Sequence, residues 1–273
     1  FGTPEKIGGW QKLSASSFLG TCRALQPFVG LDGSNYIGVG THLKYYIEEG
    51  GGYNDITPIR ATTSAGDVTF AATNGSSTVV VADASHGALQ NDFVTFSGAA
   101  SLGGTITANV LNQEYQIADI INGNSYSIVA RAVASVTEIT VNGQYTPTAI
   151  AANGSDSGSG GGSIVGTYQV NTGLDTAVLG NGWGAGTWAR GTWGSGTDLS
   201  APGDSLRIWS HDNFGEDLIF NARNGGIFYW DKSTNATNML RGVAISDLSG
   251  ADATTPTIAK QVMISDRDRH VIV

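Results

Sequence analysis

Between Asp217 and Trp230 the hydrophobic positions alternate with period two. Leu218, Phe220 and Ala222 fall on one face of an extended segment, and Ile219 and Asn221 on the other. Beyond Asn224-Gly225, Ile227 and Tyr229 oppose Phe228 and Trp230. Alternation on both sides of an Asn-Gly dipeptide predicts a β-hairpin. Tyr36–Gly40 and Leu43–Glu48 repeat this layout around Thr41-His42, after turn residues at Asp32-Gly33. Asn213-Phe214-Gly215 precedes the later hairpin in the same way, and Gln261–Val273 reads as a third copy with Asp266–His270 as its charged turn. A single hairpin of this kind belongs equally to a sandwich, a barrel or a propeller. Its recurrence predicts repeated blades, with the sandwich or barrel as the competing architecture. No window carries a 3.6-residue period, so the chain reads as all-β.

The copies are unevenly spaced, which predicts an insertion. After Ile56-Thr57-Pro58-Ile59-Arg60 the chain turns rich in Ala, Thr, Ser, Val and Gly, and tryptophan is absent until Trp183. The predicted inserted module runs from Ala61 to Ser163. Its expected strands are Thr78–Ala82, Asp92–Ser97, Glu114–Ile121, Ser125–Ala130 and Val136–Val141, forming a small barrel or sandwich. It closes on Asn153–Ser163, NGSDSGSGGGS, a flexible tether by composition. The expected organisation is therefore residues 1–60 as the first part of a propeller-like body, 61–163 as the insertion and 164–273 as the second part. The body is expected to be incomplete: the sequence does not begin with Met, and Val271-Ile272-Val273 reads as the middle of a strand.

Composition narrows the functional classes. Charged residues make up 14% of the chain, against about 25% ordinarily. Gly is abundant at 39 residues, and Asn-Gly occurs six times, so hairpin-turn chemistry recurs throughout. The net charge of -9 argues against a surface that grips nucleic acid or anionic membrane, because either needs clustered Lys and Arg. An acidic wall repels phosphate and suits a conduit better than a receptor. Cys22 is the sole cysteine, which forbids an intrachain disulfide, and it reads as a small buried hydrophobe. There is no apolar run long enough to span a bilayer and no secretory signal. For that reason the glycosylation-like triplets at Asn74, Asn153 and Asn235 mean little.

Candidate chemistry is sparse. Ser210-His211-Asp212 invites a catalytic triad, but neighbours on a strand point to opposite faces, and a triad has to converge. His211 is expected at a turn or interface. Asp212, Glu216, Asp217 and Asp231 would serve a glycosidase only as a pair facing across a sugar; beside a Gly-rich turn they read as solvated or capping acids. His42, His86, His211 and His270 lack metal-ligand spacing, and neither Gly50-Gly51-Gly52 nor Gly158–Gly162 follows a phosphate-loop pattern. No cofactor is implied. Trp183, Trp188, Trp193, Trp209, Tyr229 and Trp230 are the candidate packing and interface anchors; stacking on sugars is the competing use.

Three segments together resemble a known group. GSNYIGVGTHLKYYIEEGGGYNDITPIR, NGWGAGTWARGTWG and LRIWSHDNFGEDLIFNARNGGIFYWD resemble tailed-bacteriophage virion proteins, similar to the propeller-bearing tail hub and nozzle proteins of short-tailed phages. In the insertion, DASHGALQNDFVTFSGA and NQEYQIADIINGNSYSI resemble a β module recurrent in phage tail proteins and named for the FCCH domain of ubiquitin-activating enzyme. The resemblance implies a non-catalytic component of the tail, forming a ring of identical subunits, taken here as a hexamer, around the DNA-ejection channel. Its other neighbours would be adaptor and fibre proteins, with genomic DNA passing unbound and no membrane partner. The protein would reside in the virion and be made in the bacterial host cytoplasm. The alternatives are a peripheral receptor-binding, glycan-binding or decoration protein, and a glycan-cleaving enzyme built on a propeller.

Overall fold

The computed structural model describes residues 16–133, 148–171, 208–235, 240–265, 267–268 and 270–273. The expected strand Val136–Val141 and the residues Trp183, Trp188 and Trp193 lie outside the described residues. The architecture is all-β.

Four strands form the first sheet: β1 (Cys22–Val29), β2 (Asn35–Thr41), β3 (Tyr45–Glu49) and β4 (Gly52–Asp55), in sequential antiparallel order. Local chemistry sets its turns. Glu49 pairs with Gly52 across Gly50 and Gly51, whose φ values of +58° and +89° make the primed turn that matches strand twist.

The chain then runs through β5 (Ile59–Thr62), β6 (Thr69–Ala72), β7 (Thr78–Ala82) and β8 (Phe93–Ser97), one helical turn α1 (Ala108–Leu111), β9 (Glu114–Gln116), β10 (Asp119–Asn122), β11 (Ser125–Val129) and β12 (Val165–Gln169). Two four-stranded sheets, ordered β5-β12-β8-β9 and β10-β11-β7-β6, enclose one core that includes Val68, Phe70, Val79, Val81, Phe96 and Tyr126. The single strand expected over Glu114–Ile121 is two strands. At Ile117 and Ala118 the chain crosses between sheets: the Ile117 N–H donates to the Asp92 carbonyl and the Ala118 N–H to the Ser127 carbonyl.

The segment Asn153–Ser163 departs from its reading as a flexible tether. It is bonded to the module along its length. The Phe70 N–H donates to the Ser159 carbonyl, the Ala100 N–H to that of Gly160, and the Gly158 N–H to that of Leu102. The carboxylate of Asp156, 4% exposed, accepts from the backbone N–H groups of Gly104, Ile106 and Asn153 at 2.8–3.0 Å. Gly and Ser serve close backbone approach here: a Cβ on Gly158 would meet the Leu102 backbone.

The second body sheet comprises β13 (Trp209–Phe214), β14 (Asp217–Ala222), β15 (Ile227–Trp230) and β16 (Val243–Ala244), again in sequential antiparallel order, with a short α2 (Lys232–Asn235) before its last strand. Gly215, with φ +75° at the first central position of a two-residue loop, turns β13 into β14. The next loop is longer than Asn-Gly alone. Asn221 pairs with Ile227, and Asn224, not Gly225, takes the left-handed conformation at φ +59°. The hairpin β17 (Met263–Ile264) and β18 (Val271–Ile272) forms a third sheet.

The three body sheets stack. Leu218, Phe220, Ala222, Phe228 and Trp230 pack on Phe28, Tyr36, Tyr45 and Ile47 of the first sheet. The opposite face of the second sheet, Ile219 and Ile227, packs on Ala259, Val262 and Ile264 beside the third. The alternation read from the sequence thus sorts the side chains into two cores. The leading strands also adjoin, β1 against β13 and β13 against β17. Face-to-face sheets with neighbouring leading strands have the radial order of propeller blades. Among the described residues no helix is long and apolar enough to cross a membrane.

Candidate functional site

The seams between sheets hold the polar residues that the sequence singled out. Each leading strand has a hydrogen-bonded neighbour on one side only, so its other edge needs partners. Strand β13 supplies them with side chains. Facing the third sheet, Ser210 Oγ accepts from the Val262 N–H at 3.0 Å and Asp212 Oδ2 from the Ile264 N–H at 2.9 Å. Facing the first sheet, Asn213 Oδ1 accepts from Gln26 Nε2 at 3.2 Å, and His211 binds the Leu25 backbone. Ser210 and Asp212 thus point away from His211, as strand alternation requires, and the three do not converge as a triad.

His211 Nδ1 lies 2.5 Å from the hydroxyl of Tyr45, which has no exposed surface. Burial holds the Tyr45 phenol protonated far beyond its ordinary range. Burial also lowers the His211 pKa to about 4, against the opposing effects of the Leu25 backbone and Asp212. At neutral pH the contact is a phenol donating to a neutral imidazole.

Two of the three described aromatic candidates, Trp209 and Trp230, are interior. Trp209 is 4% exposed; its indole N–H donates to the Thr41 carbonyl at 2.7 Å, and its ring meets Tyr45 edge-on with centroids 4.9 Å apart. Gly40 faces that indole so closely that an added Cβ would fall inside it. Trp230, 1% exposed, packs edge-on against Phe28 and Tyr36. Tyr229 is half-buried and donates its hydroxyl to Asp217 at 2.5 Å. All three anchor the stack within one chain.

The acids near the Gly215 turn are likewise engaged. Lys232 Nζ lies 2.8 Å from Asp32 and 3.1 Å from Glu216, clamping a turn of the first sheet to a turn of the second. The hydrogen bond from Lys232 lowers the Asp32 pKa to about 2. Asp231 caps α2 through the N–H groups of Ser233 and Thr234. Among the described residues no group of three or more His, Cys, Asp or Glu side chains is placed to hold a metal ion.

One cluster had no signal in the sequence. Lys44, with its side chain 3% exposed, lies 2.7 Å from Asp55 and 2.7 Å from Glu114, and 4.4 Å above the ring of Phe93. Arg241 lies 3.2 Å from Asp55 and donates to the Thr57 carbonyl at 2.7 Å. Gln169 donates to Glu114. Burial raises the Asp55 pKa, and Lys44 and Arg241 more than offset it, leaving the carboxyl below its ordinary value. Lys44, Asp55 and Arg241 belong to the body; Glu114, Phe93 and Gln169 belong to β9, β8 and β12.

No family model matches the chain, and no curated protein matches it. Among solved structures it is similar to one described as Phage phi92 endosialidase, with 14% identity over 90% of this chain and 32% of that one, and a TM-score of 0.23. The chain thus spans about a third of that protein's length.

Proposed function

We propose that this chain is a structural component of a bacteriophage tail, of the hub or nozzle type, in which blade-like sheets stack around an axis and identical subunits close a ring about the path of the genome. The observation that carries this reading is the second body sheet, which is covered on both faces by sheets and adjoins both neighbours through its leading strand. Such packing builds walls. The resemblance of Asp204–Asp231 to tail proteins supports the same reading, since that stretch contains β13, β14 and β15. Surfaces for further copies are available: Leu25 and Val29, 60% and 56% exposed, lie on the face of β1 turned away from the second sheet. Met263 and Ile272 pair across the third sheet and are half exposed. A low-charge, net acidic chain would let DNA pass without capture.

The role is mechanical and non-catalytic. The residues nearest to a triad are spent on seams, and the acids on turns and caps. A peripheral glycan-binding role is the competing reading, and it would need aromatics other than the buried Trp209 and Trp230. Native mass spectrometry of the purified protein tests the proposal. A discrete ring-sized oligomer, six subunits in the simplest case, is expected. A strict monomer at all concentrations, with saturable binding on a glycan array, would favour the competing reading.

A further inference from the structure

The chain passes between body and insertion at two points, Pro58-Ile59 and Gln169-Val170. They lie side by side, with the Val170 N–H donating to the Pro58 carbonyl at 2.9 Å. Two adjacent crossings by themselves leave a hinge, because rotation about them breaks no strand pairing inside either part. The cluster around Lys44 spans that hinge. We propose that it is a latch that fixes the inserted module in one orientation on the body, and that Glu114 is the residue that holds it shut.

The chemistry is that of a buried charge with no substitute for its partners. Glu114 lies on β9, at the edge of its sheet, and projects to the body. It accepts from Lys44 and lies 3.8 Å from Arg241, two cations from separate body segments. Phe93, next to β9 in the same sheet, covers Lys44 from the module side. Swinging the module away would strip Lys44 of one carboxylate and its aromatic cover, and would leave Glu114 with Gln169 of its own sheet but neither cation. Breaking one partner of a buried pair costs far more than an exposed pair contributes. The latch therefore selects one orientation, so the module behaves as a rigid arm that can carry load or present a surface at a fixed angle. This inference is independent of the ring and of the phage reading.

The test uses the full chain in a Cys22→Ser background, with spin labels at exposed Leu31 on the body and exposed Ile121 on the module. The parent should give one narrow distance distribution. Glu114→Gln, which keeps the shape and loses the charge, should broaden it and add separations absent from the parent. Amide exchange at Val170 and Gly242, bonded to the Pro58 and Ile56 carbonyls on the body side of the junction, should accelerate about tenfold or more, while amides in β7 and β14 keep their parent rates. Arg241→Gln, at a partly exposed member of the cluster, is the milder second variant and should move the same readouts in the same direction. Unchanged distances and exchange in both variants would overturn the proposal. So would acceleration spread evenly through β7 and β14, which would make Glu114 a general stabiliser and not a latch.

Discussion

At the scale of single residues, the tightest constraints are at the seams. Gly40 has no room for a side chain because Trp209 occupies the space. Gly40→Ala should therefore cost about 1–3 kcal/mol through forced repacking, read as a lower denaturation midpoint at unchanged m-value. Asn221 has no exposed surface; its amide donates to the carbonyls of Gly225 and Gly226 at 3.0 and 2.9 Å. It also reaches the Ala259 carbonyl beside the third sheet at 3.3 Å. Asn221→Ala leaves buried carbonyls unpaired and should cost roughly 1–3 kcal/mol, with faster amide exchange in β17 as the local sign. In the sequence Asn221 was merely the polar member of an alternating strand. Its role was not legible because its partners lie across a loop and on another sheet, and no local period records them.

At the scale of elements, the hairpins were legible and the junctions were not. Strand β7 has the bounds that its valine run predicts, and the two faces of β14 and β15 sort into cores as period two requires. Those features depend on neighbours in sequence. The fate of Asn153–Ser163 did not: Gly and Ser read as slack, but Asp156 within it organises a buried turn. Asp156→Ala removes the acceptor of four backbone N–H groups, those of Gly104, Thr105, Ile106 and Asn153. It should destabilise the module by roughly 2–3 kcal/mol, seen as faster amide exchange in β7 and β11 with β14 unaffected. The Lys44 cluster was invisible for a related reason. Lys44 and Glu114 are 70 residues apart, and each looked like an ordinary charged residue beside a strand.

His211 gives the seam between the first two sheets a pH dependence. Its folded pKa is about 4, against an ordinary value of 6.5. Between those values the unfolded chain binds a proton that the folded chain refuses. Stability is thus fully present above pH 6.5 and falls as the pH drops toward 4, by up to about 3 kcal/mol. His211→Gln keeps a donor and an acceptor without titrating, so its melting temperature should change less than that of the parent over this window. Parallel curves would show that His211 does not titrate in the fold.

At the scale of the whole molecule, the stack of sheets defines an axis and leaves apolar faces at both ends. Leu25→Asp places a charge on one such face, away from the core that Phe28 enters. Its effect on the subunit itself should stay within about 0.5 kcal/mol, while the ring-sized species in native mass spectra diminishes. A resemblance in sequence suggested tail proteins; the geometry adds how such a chain would build a wall, with polar side chains of a leading strand tying each sheet to the next. The most direct measurement is a cryo-EM reconstruction of the phage particle that carries this chain. The account predicts density for a closed ring of copies on the tail axis, leading strands β1, β13 and β17 facing the channel. Copies found singly at the periphery, or a ring with those strands turned outward, would contradict it.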